Sequence, residues 1–306
     1  MEKSVDAIGD MSLLELMIPG THNSASYGRF SHKDNTLMSK YSLCQDETVF
    51  NQLVYGIRFL DLRVAYDTVN GNRSKLWIVH GPVPMKQTLD SVLLQVRRFV
   101  ELAPKEVLVI DFHRFEKGFN KDEISQRLLR RHHRKVLALI LKHLSAYLVP
   151  QTMGLHSTLN ELIANNKRVI VGYASDQYLS NKTFVFPKAR HLWPNTDDTE
   201  ELVEYFNETL CDIYPNQLFS AMVQLTADKF GIIIDRYNGL RTMAHTVNPE
   251  IAKGFSADSP LGWANCANVV ASDFFLSNNL IDISIKTNLN RSKRSANHTK
   301  MDSKLN

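Results

Sequence analysis

The sequence predicts an α/β fold, a single domain closed as a (β/α) barrel. Three observations carry that reading. About eight strand-like apolar runs punctuate the chain, beginning near Leu13, Ile57, Leu76, Val107, Val169, Gln217, Ile232 and Val269. Most are nearly continuous in apolar residues, which suits strands of a parallel sheet covered on both faces. Polar and ionisable residues collect where the runs end: His22, Asp61, Arg63, His80, His113 and Asp273. In a (β/α) barrel, chemistry sits at the C-terminal strand ends, so residues this far apart would meet at one mouth.

In order, residues 1–12 read as a lead-in and Leu13–Ile18 as the first strand, broken by Pro19-Gly20. Residues 26–45 are polar and turn-rich. A helix is expected over Thr48–Gly56, then a strand over Ile57–Arg63, a turn at Asn70-Gly71 and a strand over Leu76–Val79. Thr88–Ala103 has a clear helical period in Val92, Leu93, Val96, Phe99 and Val100, which read as core. Glu106–Phe112 follows as a buried strand. The region from about 120 to 147 is a second long helix carrying the basic run Arg130-Arg131-His132-His133-Arg134-Lys135. That run reads as a solvated face able to attract anionic lipid, not as a metal site. Beyond Pro150 come a helix at Leu159–Ala164, a strand at Arg168–Tyr173 and a helix at Asp198–Leu210. A strand at Gln217–Thr226, the apolar run Ile232–Ile234, a helix at Thr246–Phe255 and a last strand at Asn268–Phe275 complete the domain, placed at residues 1–285. From Lys286 to Asn306 the chain is polar, basic and nearly free of aromatics, and reads as a disordered tail.

The 306 residues carry a net charge of +4, with a sequence pI near 8.8 and 43% hydrophobic residues. The excess is too small to suggest nucleic acid, and no obligate protein partner is evident. Cys44, Cys211 and Cys266 lack metal-ligand spacing. An odd, sparse set suggests reduced thiols and a cytoplasmic protein that meets the membrane surface transiently. On that reading the Asn-x-Ser/Thr matches, such as Asn181-Lys-Thr183 and Asn207-Glu-Thr209, are chance.

The chemistry starts from His22, at the end of Ile18-Pro-Gly-Thr-His-Asn-Ser24, and His80, in Val79-His-Gly-Pro82. A histidine takes or gives a proton near neutrality. Two of them suit a base and an acid working on one phosphodiester. Arg63 would bind the phosphate and offset its developing charge. Asp273 is the candidate to orient His22. Asp111, near Arg114, reads as a structural ion pair.

These stretches, with Gly56-Ile-Arg-Phe-Leu-Asp-Leu-Arg63 and Glu106-Val-Leu-Val-Ile-Asp-Phe-His113, resemble the phosphatidylinositol-specific phospholipase C X-domain family, in its small X-domain-only form. The match is densest over residues 10–115. The resemblance implies an irregular TIM-like barrel that cleaves phosphatidylinositol-type lipids to diacylglycerol and an inositol (cyclic) phosphate. His22 then corresponds to the general base, His80 to the general acid, and Asp61 to an acidic family position. Arg63 matches the arginine of metal-free bacterial members, where calcium-dependent enzymes have an acidic ligand. Asn23 follows the calcium-dependent type, and His113 replaces either the bacterial Lys or the calcium-binding Glu. A metal-free site is therefore expected; calcium, if bound, would take Asn23 and Asp61. Asn23, His113, Tyr173 and Gln224 are the expected substrate-binding residues. Two alternatives stand beside this one: a metal-dependent glycerophosphodiester hydrolase, and a catalytically weak lipid-binding module on the same barrel.

Overall fold

The computed structural model describes residues 1–28, 35–68, 74–175, 183–213 and 216–302, with 295–302 as backbone alone. The expected Asn70-Gly71 turn and Asn181 lie outside the described residues. The chain opens with α1 (Val5–Ile8), β1 (Ile18–Thr21), α2 (Leu37–Lys40), α3 (Val49–Tyr55) and β2 (Phe59–Asp67). Next come β3 (Lys75–His80), β4 (Val83–Thr88), α4 (Leu89–Leu102), β5 (Leu108–Phe115), α5 (Gln126–Leu144), α6 (Leu159–Ala164) and β6 (Val169–Tyr173). The remainder is β7 (Val185–Pro187), β8 (Arg190–Leu192), α7 (Thr199–Thr209), β9 (Phe219–Val223), α8 (Lys229–Ile233), α9 (Leu240–Phe255), α10 (Trp263–Cys266), β10 (Val269–Ser272) and α11 (Leu280–Asp302). Helix starts follow capping chemistry. The side chains of Thr88, Ser125 and Asp198 each accept a first-turn N–H, and Thr158 forms a reciprocal box with Glu161.

The parallel strands run in the order β7-β6-β5-β2-β1-β10-β9-β8. The two end strands are consecutive in the chain, separated only by Lys188 and Ala189. β7 pairs with β6 and β8 with β9, so one interrupted strand brings the curled sheet round on itself. At the interruption the Ala189 N–H donates to Asp111 Oδ1 at 3.1 Å. The β3–β4 hairpin hangs antiparallel from β2.

Strand alternation sorts the side chains. Leu60, Leu62 and Val64 of β2 and Leu108, Ile110 and Phe112 of β5 pack in one cluster with α3, α4 and α5. Their neighbours face the barrel interior. Ile18, Phe59, Val109, Ile170, Phe186 and Val269 from different strands form a shared apolar floor. Two and four residues further on, the same inward faces present His22, Asp61, Arg63, Asp111, His113 and Asp273. The apolar floor thus supports a polar upper layer.

Several expectations need correction. The first strand is Ile18–Thr21, while Leu13–Glu15 form a turn; Pro19 does not break it. Pro19 lies level with Arg58, before β2 begins, so no ladder bond needs its missing N–H, and its carbonyl accepts from Arg58 N at 2.8 Å. Gly20 allows a close approach here, because a Cβ would meet the Phe59 ring at 3.0 Å. The run Ile232–Ile234 is no strand: α8 ends in it, and Ile233 is 70% exposed. Residues 286–302, expected as part of a disordered tail, continue the helix that starts at Leu280. Asn288 is buried and brackets Met17, accepting from its N–H at 2.7 Å and donating to its carbonyl at 2.9 Å, and Arg291 reaches the Glu15 and Ala267 carbonyls. His132 and His133 are buried on the inner face of α5 rather than solvated. Only part of the basic run, including Arg130, Arg131 and Arg134, faces solvent. Cys211 and Cys266 are joined in a disulfide, so only Cys44 is a thiol. The cytoplasmic expectation loses its support with that bond.

Candidate active site

His22 follows β1 directly, its N–H held by Ser272 O at 3.1 Å. Gln45 ties the same two strand ends together, donating to His22 O and Ser272 O at 2.9 and 3.0 Å. The turn beyond is locked by Ser24. Its hydroxyl donates to Thr21 O at 2.9 Å and accepts from Asp61 N at 2.8 Å. Asn23 holds φ near 41°, a left-handed conformation Asn tolerates, and its N–H donates to Asp61 Oδ2 at 2.9 Å.

The buried imidazole of His22 is held at both ends. Nδ1 lies 2.9 Å from Asp273 Oδ1, and Nε2 lies 3.0 Å from Arg63 Nη2. Arginine only donates, so Nε2 accepts and the Nδ1 proton faces Asp273. This is the tautomer of a general base, with its Nε2 lone pair held by Arg63. His80 sits across from it, ring centroids 6.4 Å apart and perpendicular. Its Nδ1 donates to the Ser42 carbonyl at 3.0 Å. Burial, then the nearby His22 and Arg63, pull the His80 pKa down to about 4.

His22, Arg63, His80, Gln224 and Asp273 line one cavity of about 150 Å³, walled also by Tyr41 and Trp193. Gln224 Oε1 is buried with no hydrogen-bond partner among the described residues, available to a hydroxyl-rich ligand. A wider groove, about 960 Å³ beside Trp77, Pro82 and Arg114, holds none of these histidines. Asp61 lies below the cavity, fully buried. Burial raises its pKa, but His191, Arg63, His113 and His22 outweigh that and hold it ionised. Burial likewise drives the Cys44 thiol well above its usual range; Cys44 Sγ is 3.6 Å from Asn23 Nδ2.

Two expected substrate contacts fall elsewhere. Tyr173 is packed among Phe112, Phe115 and His133, its hydroxyl 2.8 Å from His133 Nδ1, away from the cavity wall. His113 stacks on His191 with centroids 3.5 Å apart, both facing Asp111 Oδ2 at 3.5 and 3.4 Å. Asp111 is therefore partnered by these histidines and Ala189, not by Arg114, which pairs with Glu116 at 2.9 Å. His191, Trp193, Tyr41 and Cys44 were not singled out from sequence. His191 stands alone in a strand of three residues, too short to show alternation.

The residues do not suit calcium. Asn23 Oδ1 and Asp61 Oδ1 are buried without hydrogen-bond partners among the described residues, which gives two oxygens at the expected positions. A calcium ion takes six to eight, and Arg63 and His113 supply nitrogens instead.

No family model matches the chain. Among curated proteins it is similar to PI-PLC X domain-containing protein 1 of Homo sapiens, 26% identical over 285 residues, covering 87% of this chain and 84% of the relative. The Danio rerio protein of that name is 24% identical, covering 90% of each. The chain is a homologue of the PI-PLC X domain-containing proteins. Solved structures agree on the fold of this X-domain homologue. The phosphatidylinositol-specific phospholipase C of Listeria monocytogenes matches with TM-score 0.64 at 18% identity, covering 92% of this chain and 95% of that one. A mutant of the Staphylococcus aureus enzyme matches with TM-score 0.64 at 16% identity, covering 91% and 93%.

Proposed function

We propose that this X-domain homologue is a calcium-independent phosphodiesterase that cleaves phosphatidylinositol-type lipids. The observation that carries the reading is His22 Nε2, oriented through Nδ1 by Asp273 and opening with Arg63 and His80 onto one cavity. A lipid phosphate draws the Arg63 guanidinium off His22 and onto its own oxygens, a charge-assisted pairing stronger than a neutral one. His22 then takes the proton of the neighbouring inositol hydroxyl as its oxygen bonds to phosphorus. The bond from phosphorus to the diacylglycerol oxygen breaks, and that oxygen takes the proton of His80. The phosphate anion supplies the negative charge that lets His80 hold this proton despite its low resting pKa. Cyclic inositol phosphate is the first product.

The mouth suits an anionic membrane. Ile232 lines the catalytic cavity, and beside it Phe230, Ile233 and Ile234 are 61%, 70% and 52% exposed. Lys40 of α2 borders the same rim, pairing with Asp235 and Asn238. Apolar residues flanked by Lys229 and Arg236 form an interfacial lip. No helix among the described residues is long and apolar enough to cross a membrane.

The test is product release from phosphatidylinositol vesicles in excess EDTA. Cyclic inositol phosphate from wild type, and none from His22→Ala, is the expected result. Dependence on added calcium would overturn the role given to Arg63. Vesicle binding without turnover would favour a lipid-binding module, a reading that the low pKa of His80 and the small cavity also support.

A further inference from the structure

The disulfide reopens the question of the glycosylation sequons. Cys211 and Cys266 tie the residues just after α7 to the end of α10, and such bonds persist in oxidising compartments. The third cysteine, Cys44, is fully buried, so no free thiol among the described residues is offered to oxidants. Asn207-Glu208-Thr209 closes α7, within a few residues of Cys211, and matches the Asn-x-Ser/Thr acceptor pattern. Asn207 is exposed. Its side-chain orientation is fixed by the buried Trp263, whose Nε1 donates to Asn207 Oδ1 at 2.9 Å. That bond assigns the oxygen to the inside and leaves Nδ2, the atom that carries a sugar, turned outward. The placement is also compatible with work at a membrane. α7 starts at the mouth, where the nearby Asp197 bonds Tyr237, and runs back against the strand direction. Asn207 therefore lies at the far end of the barrel from the His22 cavity and the apolar lip. A bulky sugar there would not hinder approach to a bilayer.

We propose that Asn207 is an N-glycosylation site, filled as the chain folds in an oxidising, glycosylating compartment. In the transfer, Asn207 Nδ2 bonds to the anomeric carbon of an oligosaccharide carried on a polyisoprenyl diphosphate. The bond from that carbon to the diphosphate oxygen breaks, the diphosphate leaves, and the amide nitrogen loses one proton to a base of the transferase. The residue's neutral, exposed amide becomes a solvated glycan, with no change to the barrel interior.

The deciding experiment is peptide mass mapping of the full chain isolated unreduced from its own cells. Expected are a Cys211–Cys266 cross-linked peptide, and an Asn207 peptide found as Asp after amidase deglycosylation in heavy-oxygen water. An unmodified Asn207 peptide overturns the site, whether or not the disulfide is present, and free alkylated Cys211 and Cys266 overturn the compartment. Thr209→Ala removes the sequon while keeping the Asn207–Trp263 bond, and should abolish the heavy-oxygen Asp mark at residue 207, a readout that other sequons such as Asn181-Lys-Thr183 do not supply. Thr209→Ser should retain it, and a mark that persists in Thr209→Ala would contradict the proposal. Phospholipase activity is read separately on the same samples, so a failure of the catalytic reading is distinguishable from a failure of this one.

Discussion

The two histidines at the mouth are held in different ways, and the difference separates their roles. His22 rises from a parallel strand of the ring, with the Asp273 carboxylate behind it and Arg63 in front. His80 ends a strand of the outlying hairpin, and its ring is anchored to a neutral carbonyl, Ser42. A carboxylate behind an imidazole favours taking up a proton, whereas a carbonyl only sets the tautomer. One ring is thus equipped as a base before any ligand arrives. The other depends on the ligand for the charge that makes it an acid.

That contrast can be broken by substitution. His22→Ala should cost about 10⁴-fold in turnover of phosphatidylinositol, at the upper end for a positioned proton-transfer group. His80→Ala should cost on the order of 10³-fold with the lipid but under about tenfold with a soluble inositol ester whose leaving group is an acidic phenol, which needs no proton. Equal losses on both substrates would mean that His80 is not the acid. Asp273→Asn should lower turnover about 10²-fold with a much smaller change in KM, since its carboxylate acts on His22 through Nδ1 although it also borders the cavity. A KM effect alone would reassign Asp273 to binding.

Acid stability sharpens the same comparison. His80 stays neutral in the folded protein down to about pH 4, while in the unfolded chain it protonates near 6.5. Between these values the unfolded state binds more protons, so stability falls as pH drops through that window. His80→Gln should flatten this part of the urea-midpoint profile between pH 6.5 and 4; an unchanged slope would show that His80 is not kept neutral. The smallest effect concerns the lip. Ile233→Ser should weaken binding to anionic vesicles by about tenfold, given the ~1.5–3 kcal/mol carried by a buried aliphatic side chain, with soluble-substrate turnover unchanged.

Much of the mouth was legible because strand alternation and strand ends follow simple rules. Arg63, Asp61 and Asp273 come from β2 and the end of β10, whose apolar runs mark the register, while His22 was found beyond its Pro-Gly pair although the strand before it begins only at Ile18. His80 was found through its Gly-Pro turn, although the hairpin that bears it is not part of the parallel ring. What sequence hid was made by packing between distant segments. His191 depends on a three-residue strand that exists only because β9 accepts it. Tyr173 sits at a strand end like the others, but on the outward face of β6, a one-residue phase difference that apolar Val169–Val171 could not reveal. The last helix was misread because its anchors are polar. Asn288 and Arg291 hold it through backbone carbonyls and N–H groups, contacts with no apolar signature.

The Arg63–His22 contact has a consequence for the resting protein. With its lone pair occupied by a guanidinium, His22 is a latent base, unavailable to activate stray water or to accept an electrophile. An anion that attracts Arg63 should unmask it. Sulfate or inositol phosphate would then accelerate acylation of His22 by an imidazole-directed reagent, where ordinary occupancy would protect it. The arginine would act as a safety catch that the phosphate itself releases.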